Sequence, residues 1–223
     1  NARHIASAVD IPVFHDANTG YGNAINVIRT VKEFEKTGIA GIHLEDQASP
    51  KKCGYMAGLK LVSIEEMEGK IKAATEARDD PDFVIAARTD GRVIGLDEAI
   101  KRAKAYEKAG ADIVWAERLQ ATEEMKMVIK SINTPHLLMA MPGVITPALS
   151  VSECKEIGYD IIVFWGVSLF TTTRAVMDAI EQLKRSGSVA SIKEKMIEYN
   201  EFQEFIGVQD IYALENKYLP KEE

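Results

Sequence analysis

Short apolar runs alternate with helix-like segments along most of this chain, and that alternation limits the folds open to it. Six runs are predicted as strands, at residues 11–14, 39–44, 83–87, 112–116, 136–140 and 161–165. Helices are predicted at residues 1–8, 24–36, 63–78, 96–109, 122–131, 150–157 and 169–185. Because parallel strands need long, usually helical crossovers between them, this alternation predicts an α/β fold with a parallel sheet.

Polar and charged side chains gather just beyond the carboxyl ends of the predicted strands. They are Asp16, Glu45, Arg88, Asp90 and Glu117. A (β/α)8 barrel builds its active site from the ends of several strands, whereas an open doubly wound sheet concentrates its site at one switch point. Four successive strands contribute here, which favours the barrel. Since a complete barrel has eight strands, we expect this chain to lack the first two βα units. A barrel rebuilt from six units is the less favoured alternative.

The length of 223 residues and the 46% apolar fraction indicate one domain with a sizeable core. We predict a single, partial barrel over residues 1–223, with a helical tail from about residue 188. That tail contains a Lys/Glu-rich helix to about residue 200 and apolar patterns at residues 202–206 and 211–218. It is amphipathic but lies outside the strand–helix repeat, so we expect a packing or assembly role for it.

The charge and the cysteine count bear on partners and location. A net charge of −7 without a basic run argues against nucleic acid and anionic membranes as partners. No apolar stretch approaches the ~20 residues that span a bilayer. Cys53 and Cys154 are too few, and too different in setting, for a disulfide framework. We therefore predict a cytoplasmic protein with a small-molecule substrate.

The loop that follows the second predicted strand carries the densest chemistry in the chain. Glu45 and Asp46 end an apolar run, where unpaired carboxylates would be costly unless a metal ion or cations lay nearby. Lys51 and Lys52 precede Cys53, and neighbouring positive charge favours the reactive thiolate. The alternatives are a solvated turn or helix cap for the carboxylates and an inert thiol for the cysteine. The polar loop offers a cysteine little to pack against, which favours chemistry.

Four segments at ordered spacing point to one family. They are Asp-Ala-Asn-Thr-Gly-Tyr-Gly-Asn at 16–23, Leu-Glu-Asp-Gln at 44–47, Lys-Lys-Cys-Gly at 51–54 and Ala-Arg-Thr-Asp at 87–90. Together they resemble the isocitrate lyase/phosphoenolpyruvate mutase superfamily, and most of all its short lyases of the 2-methylisocitrate and 2,3-dimethylmalate type. The resemblance implies a TIM barrel of the phosphoenolpyruvate/pyruvate superfamily and a Mg²⁺ or Mn²⁺ cofactor. It also implies a homodimer or homotetramer with C-terminal helix swapping.

The same resemblance implies roles for individual residues. It assigns the metal to Asp16, Asn18 and Glu45, and catalysis to Cys53, Arg88 and Glu117. It assigns substrate binding to Lys51, Gly54, Tyr55, Tyr21 and Arg88. Asn18 stands where the family usually has a second aspartate, and Tyr55 where it usually has a histidine. The segment Met141-Pro-Gly also departs from the family pattern.

We therefore expect a Mg²⁺-dependent carbon–carbon lyase. Its substrate would be a 2-hydroxy di- or tricarboxylate, methylisocitrate-like or dimethylmalate-like, cleaved to an oxo acid such as pyruvate plus a second carboxylic acid. One alternative is an oxaloacetate decarboxylase, which needs only the metal. Another is an enzyme of the phosphoenolpyruvate mutase type, although mutases of the superfamily lack the Lys-Lys-Cys-Gly motif. An alternative of another class is a non-catalytic barrel relic that serves as an assembly subunit.

Overall fold

The computed structural model describes residues 1–220, and six strands lie within them. The strands are β1 Phe14–Asp16, β2 Gly41–Glu45, β3 Val84–Thr89, β4 Ile113–Ala116, β5 Leu137–Met139 and β6 Ile161–Val163. Strands β1 to β4 form one sheet in sequence order, and β5 pairs with β6. Every one of these pairings is parallel, which confirms the predicted α/β fold with a parallel sheet.

Helices fill the connections between the strands and also precede and follow them. They are α1 Ala2–Ala6, α2 Ala24–Glu35, α3 Ile64–Ala77, α4 Leu96–Lys108, α5 Thr122–Ile129, α6 Val151–Ile157, α7 Val167–Ser186, α8 Tyr199–Phe205 and α9 Val208–Tyr218. Short 3₁₀ helices occupy Gly91–Val93 and Val189–Lys195. Within the described residues, each parallel crossover from β1 to β6 therefore contains a helix.

Local sequence signals determine where several of these helices begin and end. The Asn23 side chain accepts hydrogen bonds from the first turn of α2, and Ser63 accepts one from the Glu66 N–H at the start of α3. Ser150 and Glu153 form a reciprocal capping box at the start of α6. Gly158 ends that helix in the left-handed conformation, which costs glycine little.

Successive side chains of each strand point to opposite faces of the sheet, and the two faces bury different partners. On one face, Ile42, Leu44 and Ile85 pack against apolar side chains of α2, α3 and α4. On the other face, Ala86, Ile113, Trp115 and Leu137 form a separate cluster among strand residues. The second cluster is the interior that a barrel-like sheet encloses.

Two of the predicted boundaries change most in the structure. Strand β1 begins at Phe14 rather than at residue 11, because its partner β2 begins at Gly41 and Pro12 has no N–H to donate. The predicted helix over residues 188–200 is instead the short 3₁₀ helix Val189–Lys195, and Met196 leaves the helical conformation with ψ 143°.

Two compact units make up the chain, and the second begins at Gly166, whereas the helical tail was predicted from about residue 188. The first unit, residues 1–165, contains all six strands. The second contains α7, α8 and α9, and none of these three helices has a buried residue. None of the helices in the described part of the chain combines the length and apolarity needed to cross a bilayer.

Gly41 tests how closely β2 and β3 approach. A Cβ atom at Gly41 would lie 2.5 Å from the backbone oxygen of Val84, which a strand inside a sheet cannot move aside cheaply. Gly41→Ala should therefore lower the free energy of unfolding by about 1–3 kcal/mol in urea titrations. Gly69→Ala is the control, because nothing lies within 4 Å of that helical position. It should raise stability by about 0.5–1 kcal/mol. Equal stability of Gly41→Ala and the parent chain would contradict the predicted crowding.

Candidate active site

The inward-facing positions at the carboxyl ends of the strands converge on one cavity. Asp16, Glu45, Arg88 and Glu117 each continue the strand face that buries Trp115 rather than the face that packs on helices. The cavity has a volume of about 260 Å³ and is lined by Asp16, Glu45, Lys51, Lys52, Cys53, Gly54, Tyr55, Arg88, Glu117, Met139 and Trp165. Larger hollows of about 450 and 480 Å³ lie in the second unit, and one of about 440 Å³ lies in the first. None of the three is lined by a predicted site residue.

Asp16 is half-exposed and held by three neighbours. Its Oδ1 accepts a hydrogen bond of 2.7 Å from the Asn18 N–H and lies 3.0 Å from His43 Nε2. Its Oδ2 accepts a hydrogen bond of 3.2 Å from Lys51 Nζ. Burial alone would raise the pKa of Asp16, but the hydrogen bond and charge of His43, the Asn18 N–H and Lys51 outweigh it and hold the pKa below its usual range. Asp16 is therefore a carboxylate.

Glu45 is buried, and its carboxylate lacks a full set of partners. Lys51 Nζ lies 3.1 Å from Oε1 in an ion-pair contact, and this buried oxygen has no further donor among the described residues. Arg88 Nε lies 3.6 Å from Oε2, which is an ion-pair contact. Burial raises the pKa of Glu45, although Arg88 and Lys51 oppose that shift. Glu45 therefore has unused capacity to bind a cation or donor.

Arg88 is oriented by a carboxylate outside the cavity lining. Asp90 accepts two hydrogen bonds from the guanidinium, 3.2 Å from Nε and 2.9 Å from Nη2. Glu117 Oε2 lies 3.7 Å from Nη1. Burial disfavours the charged guanidinium, but Glu117, Asp90 and Glu45 outweigh it and raise the pKa of Arg88. Arg88 is thus a fixed cation. Its Nη1 lies near Glu117, a carboxylate that lines the cavity, and does not bond to Asp90.

The cysteine loop, residues 50–57, closes one side of the cavity. Cys53 is exposed and lines the cavity. The ammonium group of Lys51 contacts Asp16 and Glu45, and that of Lys52 donates to the Ala57 carbonyl at 3.3 Å. The contacts described for both lysines are therefore to oxygen atoms rather than to the Cys53 sulfur. Cys154, by contrast, is buried in helix α6 rather than placed on this loop.

Tyr55 attaches the cysteine loop to the strand ends. Its phenol donates a hydrogen bond of 2.6 Å to Glu117 Oε1 and lies 3.2 Å from Thr146 Oγ1. Its ring stacks on that of Trp165, with centroids 6.0 Å apart. Burial and then the charge of Glu117 raise the pKa of Tyr55, so the phenol is a neutral donor. A histidine at position 55 could carry a positive charge, whereas Tyr55 places an uncharged hydroxyl against the Glu117 carboxylate.

Asp46 supports the site from the opposite face of β2. It is fully buried and accepts hydrogen bonds from the Thr89 hydroxyl at 2.7 Å and from the Asp90 N–H at 2.9 Å. It also accepts from Arg102 at 3.0 Å and from the Tyr106 hydroxyl at 2.7 Å, both on α4. This role of Asp46 was not predicted from the sequence, although the period of two in β2 could have indicated that it faces α4.

Among the other predicted residues, Asn18 and Tyr21 lie beside the cavity but do not line it. The Asn18 side-chain amide donates to the Tyr21 hydroxyl at 3.2 Å, and Tyr21 is 57% exposed. Both residues have a positive φ, 54° and 59°, as does Arg118 with 66°. Such conformations in residues other than glycine are strained and concentrate at functional sites. Met139 and Trp165 line the cavity and were not predicted.

A divalent cation was expected at Asp16, Asn18 and Glu45. Within residues 1–220, no group of three or more His, Cys, Asp or Glu side chains is placed to hold a metal ion. Mg²⁺, however, is commonly bound through one or two carboxylates, with water and substrate oxygens completing its shell. Asp16 and Glu45 Oε1 both contact the ammonium group of Lys51, so the two carboxylates lie on either side of one cation. The donor set therefore fits a hard cation of that kind.

This geometry can be compared with known proteins. The pattern of the family described as phosphoenolpyruvate phosphomutase matches residues 1–184. The chain belongs to this family. A relative named 2,3-dimethylmalate lyase, from Eubacterium barkeri, is 44% identical over 218 residues, which is 97% of this chain and 75% of that protein.

Solved structures agree with the sequence match. A structure of 2,3-dimethylmalate lyase, described as a PEP mutase/isocitrate lyase superfamily member, has a TM-score of 0.89 and 34% identity over 97% of this chain and 73% of that one. A phosphonopyruvate hydrolase in complex with oxalate and Mg²⁺ has a TM-score of 0.86 and 33% identity over 98% of this chain and 77% of that one. These matches confirm the TIM-barrel type of fold, and the named lyases support a carbon–carbon lyase.

The Tyr55 hydroxyl should contribute measurably to stability. Tyr55→Phe keeps the ring beside Trp165 but leaves the buried Glu117 Oε1 without this donor, so the free energy of unfolding should fall by about 1 kcal/mol. Urea titration followed by circular dichroism measures it. Tyr21→Phe is the matched control, because its hydroxyl is on an exposed side chain, and it should change stability by less than about 0.5 kcal/mol. Equal effects of the two variants would show that the Tyr55–Glu117 bond stabilises nothing.

Proposed function

We propose that this chain is a Mg²⁺- or Mn²⁺-dependent lyase that cleaves a 2-hydroxy di- or tricarboxylate. The substrate is methylisocitrate-like or dimethylmalate-like, and the products are an oxo acid such as pyruvate and a second carboxylic acid. The observation that carries this proposal is the cavity itself. It brings a buried arginine, a cysteine on a loop and two carboxylates that fit a hard cation into about 260 Å³.

Arg88 is suited to hold a carboxylate of the substrate. Asp90 fixes the guanidinium plane through Nε and Nη2, while the contacts of Arg88 with Glu45 and Glu117, at 3.6 and 3.7 Å, are longer than hydrogen bonds. Because Asp90 takes up Nε and Nη2, the Nη1 group is the one left to donate to a substrate carboxylate. A substrate carboxylate would therefore find a pre-oriented cation, which lowers the cost of ordering it.

Asp16 and Glu45 are the residues that would hold the divalent cation, with Asn18 beside Asp16. When bound, the cation supplies positive charge to the substrate oxygens on which negative charge develops during carbon–carbon cleavage. The phosphonopyruvate hydrolase structure that contains oxalate and Mg²⁺ supports a similar cofactor here. Lys51 contacts both carboxylates and balances their charge in this cavity.

Cys53 is the residue that we assign to proton transfer. In the cleavage direction the substrate hydroxyl gives its proton to a base of the cavity, the carbon–carbon bond breaks, and the hydroxyl-bearing carbon becomes the carbonyl of the oxo acid. The departing carbon takes the electron pair and receives a proton from the Cys53 thiol. The exposed position of Cys53 on the wall of the cavity supports this role. Glu117 holds Tyr55 and thereby the loop that carries Cys53.

We also propose that the second unit assembles copies of this chain into a homodimer or homotetramer. Large apolar side chains on α7, α8 and α9 are exposed, among them Leu169, Phe205 and Tyr218. Large apolar side chains exposed in this number are typical of a surface that another molecule covers. Truncation after Asn200 should lower the mass measured by light scattering.

A cytoplasmic location is part of the proposal too, and the two free cysteines support it.

Activity should require a divalent cation. Exhaustive chelation should abolish turnover, and Mg²⁺ or Mn²⁺ should restore it, because carboxylate oxygens favour hard cations. Asp16→Ala should remove Mn²⁺ binding in titration calorimetry, and Asn18→Asp should tighten it by adding a negative charge beside Asp16. Full activity after chelation would exclude the metal assignment, and weaker Mn²⁺ binding by Asn18→Asp would exclude the role given to Asn18.

Cys53→Ser should reduce turnover by the ~10²–10⁴-fold typical of losing a general acid or base. The assay offers 2,3-dimethylmalate, methylisocitrate and oxaloacetate and measures pyruvate release. Cys154→Ala is the control, since Cys154 lies buried in α6, and its turnover per folded molecule should equal that of the parent chain. Normal turnover by Cys53→Ser that chelation still stops would replace the lyase with an oxaloacetate decarboxylase. No turnover of any of these acids by the parent chain would favour the non-catalytic relic.

A further inference from the structure

Gln47 lies behind the cavity and uses both ends of its side-chain amide. The residue is 1% exposed. Its Nε2 donates a hydrogen bond of 3.0 Å to Asp90 Oδ2, and its Oε1 accepts one of 2.9 Å from the Lys52 N–H. A carboxylate can only accept and a backbone N–H can only donate, so the chemistry of the two partners determines the orientation of the amide. Gln47 therefore bridges the carboxyl end of β3 and the cysteine loop.

The Asp90 end of this bridge leads to Arg88. Asp90 Oδ2 accepts from both Gln47 Nε2 and Arg88 Nε, and Asp90 Oδ1 accepts from Arg88 Nη2. A shift of the Asp90 carboxylate would therefore change the orientation of the guanidinium. Asp46 holds the backbone N–H of Asp90 in turn, so the free movement left to Asp90 is mainly that of its side chain.

The cysteine loop meets the same pair of side chains at a second point. Gly54 packs so closely on Arg88 that a Cβ atom there would collide with Nη2, and it would lie 3.0 Å from Asp90 Oδ1. The loop backbone is thus fixed on one side of Cys53 by the Lys52–Gln47 bond and on the other by the contact of Gly54 with Arg88. Cys53 lies between these two points.

We propose that Gln47 is a positioning residue that couples the placement of the cysteine loop to the orientation of Arg88. The inference rests on the proposed function only in that Arg88 receives a carboxylate of the ligand. Gln47 does not line the cavity, so it acts through Asp90 and Lys52 rather than by touching substrate. Because coupling is reciprocal, a carboxylate bound at Arg88 favours the loop position seen here, and that loop position favours carboxylate binding.

Three variants separate the parts of this coupling. Gln47→Glu keeps the size and an acceptor for the Lys52 N–H but places a second carboxylate against Asp90. Gln47→Met keeps much of the volume and removes both hydrogen bonds. Gly54→Ala leaves Gln47 intact and pushes the loop away from Arg88, and it changes only a loop position, which protects the test against failure of the Gln47 variants to fold.

Asp112→Asn is the matched control. Asp112 also bridges two groups, since its Oδ2 accepts from the Ile85 N–H at 2.8 Å and from Arg78 Nη1 at 2.5 Å. Asp112 precedes β4 and therefore lies at the amino ends of the parallel strands, whereas Gln47 follows β2 and lies at their carboxyl ends. A purely structural loss there should lower the melting temperature without changing the cysteine loop.

The experiment measures trypsin cleavage after Lys52 in the full chain, with and without oxalate plus Mg²⁺, and oxalate affinity by titration calorimetry. In the parent chain, oxalate should slow cleavage. In Gln47→Met, cleavage without ligand should be about fivefold faster, the factor associated with losing the one hydrogen bond to the Lys52 N–H, and oxalate should protect less. Gln47→Glu keeps that acceptor, so its cleavage without ligand should stay closer to the parental rate, but oxalate should again protect less. In both variants, oxalate affinity should fall by a similar factor. Gly54→Ala should behave like Gln47→Met, and Asp112→Asn should match the parent chain in both measurements.

Parental cleavage rates and parental oxalate affinity in Gln47→Met would overturn the inference. So would a faster cleavage of Gln47→Met that oxalate still suppresses to the parental extent, because the bond would then be structural without coupling. If oxalate leaves the parent chain's cleavage rate unchanged, the coupling is likewise overturned. Failure of the proposed function gives a different result, in which none of the hydroxy acids is turned over while the protection by oxalate and its loss in Gln47→Met remain.

Discussion

A single buried carboxylate, that of Asp46, joins the parts on which the site depends. Its four hydrogen bonds reach the end of β3 through Thr89 and Asp90 and reach α4 through Arg102 and Tyr106. Removing one partner of a buried charge pair costs about 3–5 kcal/mol, since the other charge is left in a medium of low polarity. This network therefore specifies where the end of β3 lies relative to α4. Because Asp90 orients Arg88, the position of the cavity's central cation follows from a contact on the other face of the sheet.

Glu45 and Asp46 are consecutive in the chain, but Glu45 lines the cavity and Asp46 holds the strand against a helix. Consecutive side chains at the end of β2 point to opposite faces, so one carboxylate enters the cavity and the next enters the helical layer. The period of two, applied to all strands, places Asp16, Arg88 and Glu117 inward as well. For this reason the fold class, the strand order along the chain and the four cavity residues at the strand ends could be predicted from local pattern, since parallel strands bring their carboxyl ends together. The substrate-binding roles of the cysteine-loop residues were implied by the family resemblance instead.

The features that the sequence could not show arise from contacts between distant segments. The Tyr55–Glu117 bond joins residues 62 positions apart, and Gln47–Asp90 joins residues 43 apart. Neither residue pair has a local signature, because an amide or a phenol is as common on a solvated loop as in a network. The ammonium groups of Lys51 and Lys52 illustrate the same limit. Their positions in the sequence suggested an effect on Cys53, but the fold directs both to oxygen atoms. Strand β1 was misplaced for a related reason, since its start depends on where β2 begins.

The pattern of incomplete pairing explains why this cavity is suited to bind an anionic substrate together with a cation. Inside a protein, opposite charges that are neither solvated nor well paired are costly, so natural interiors seldom keep them without a function. Here Glu45 Oε1 has an ion-pair contact with Lys51 at 3.1 Å but no further donor among the described residues, and Arg88 lies 3.6 and 3.7 Å from Glu45 and Glu117. A substrate carboxylate would complete the pairing of Arg88, and a hard cation would complete that of Glu45 and Asp16. The bound cation and the bound carboxylate have opposite charges, so each offsets the charge that the other brings into the cavity. We therefore expect the cation and the carboxylate to bind more tightly together than either does alone.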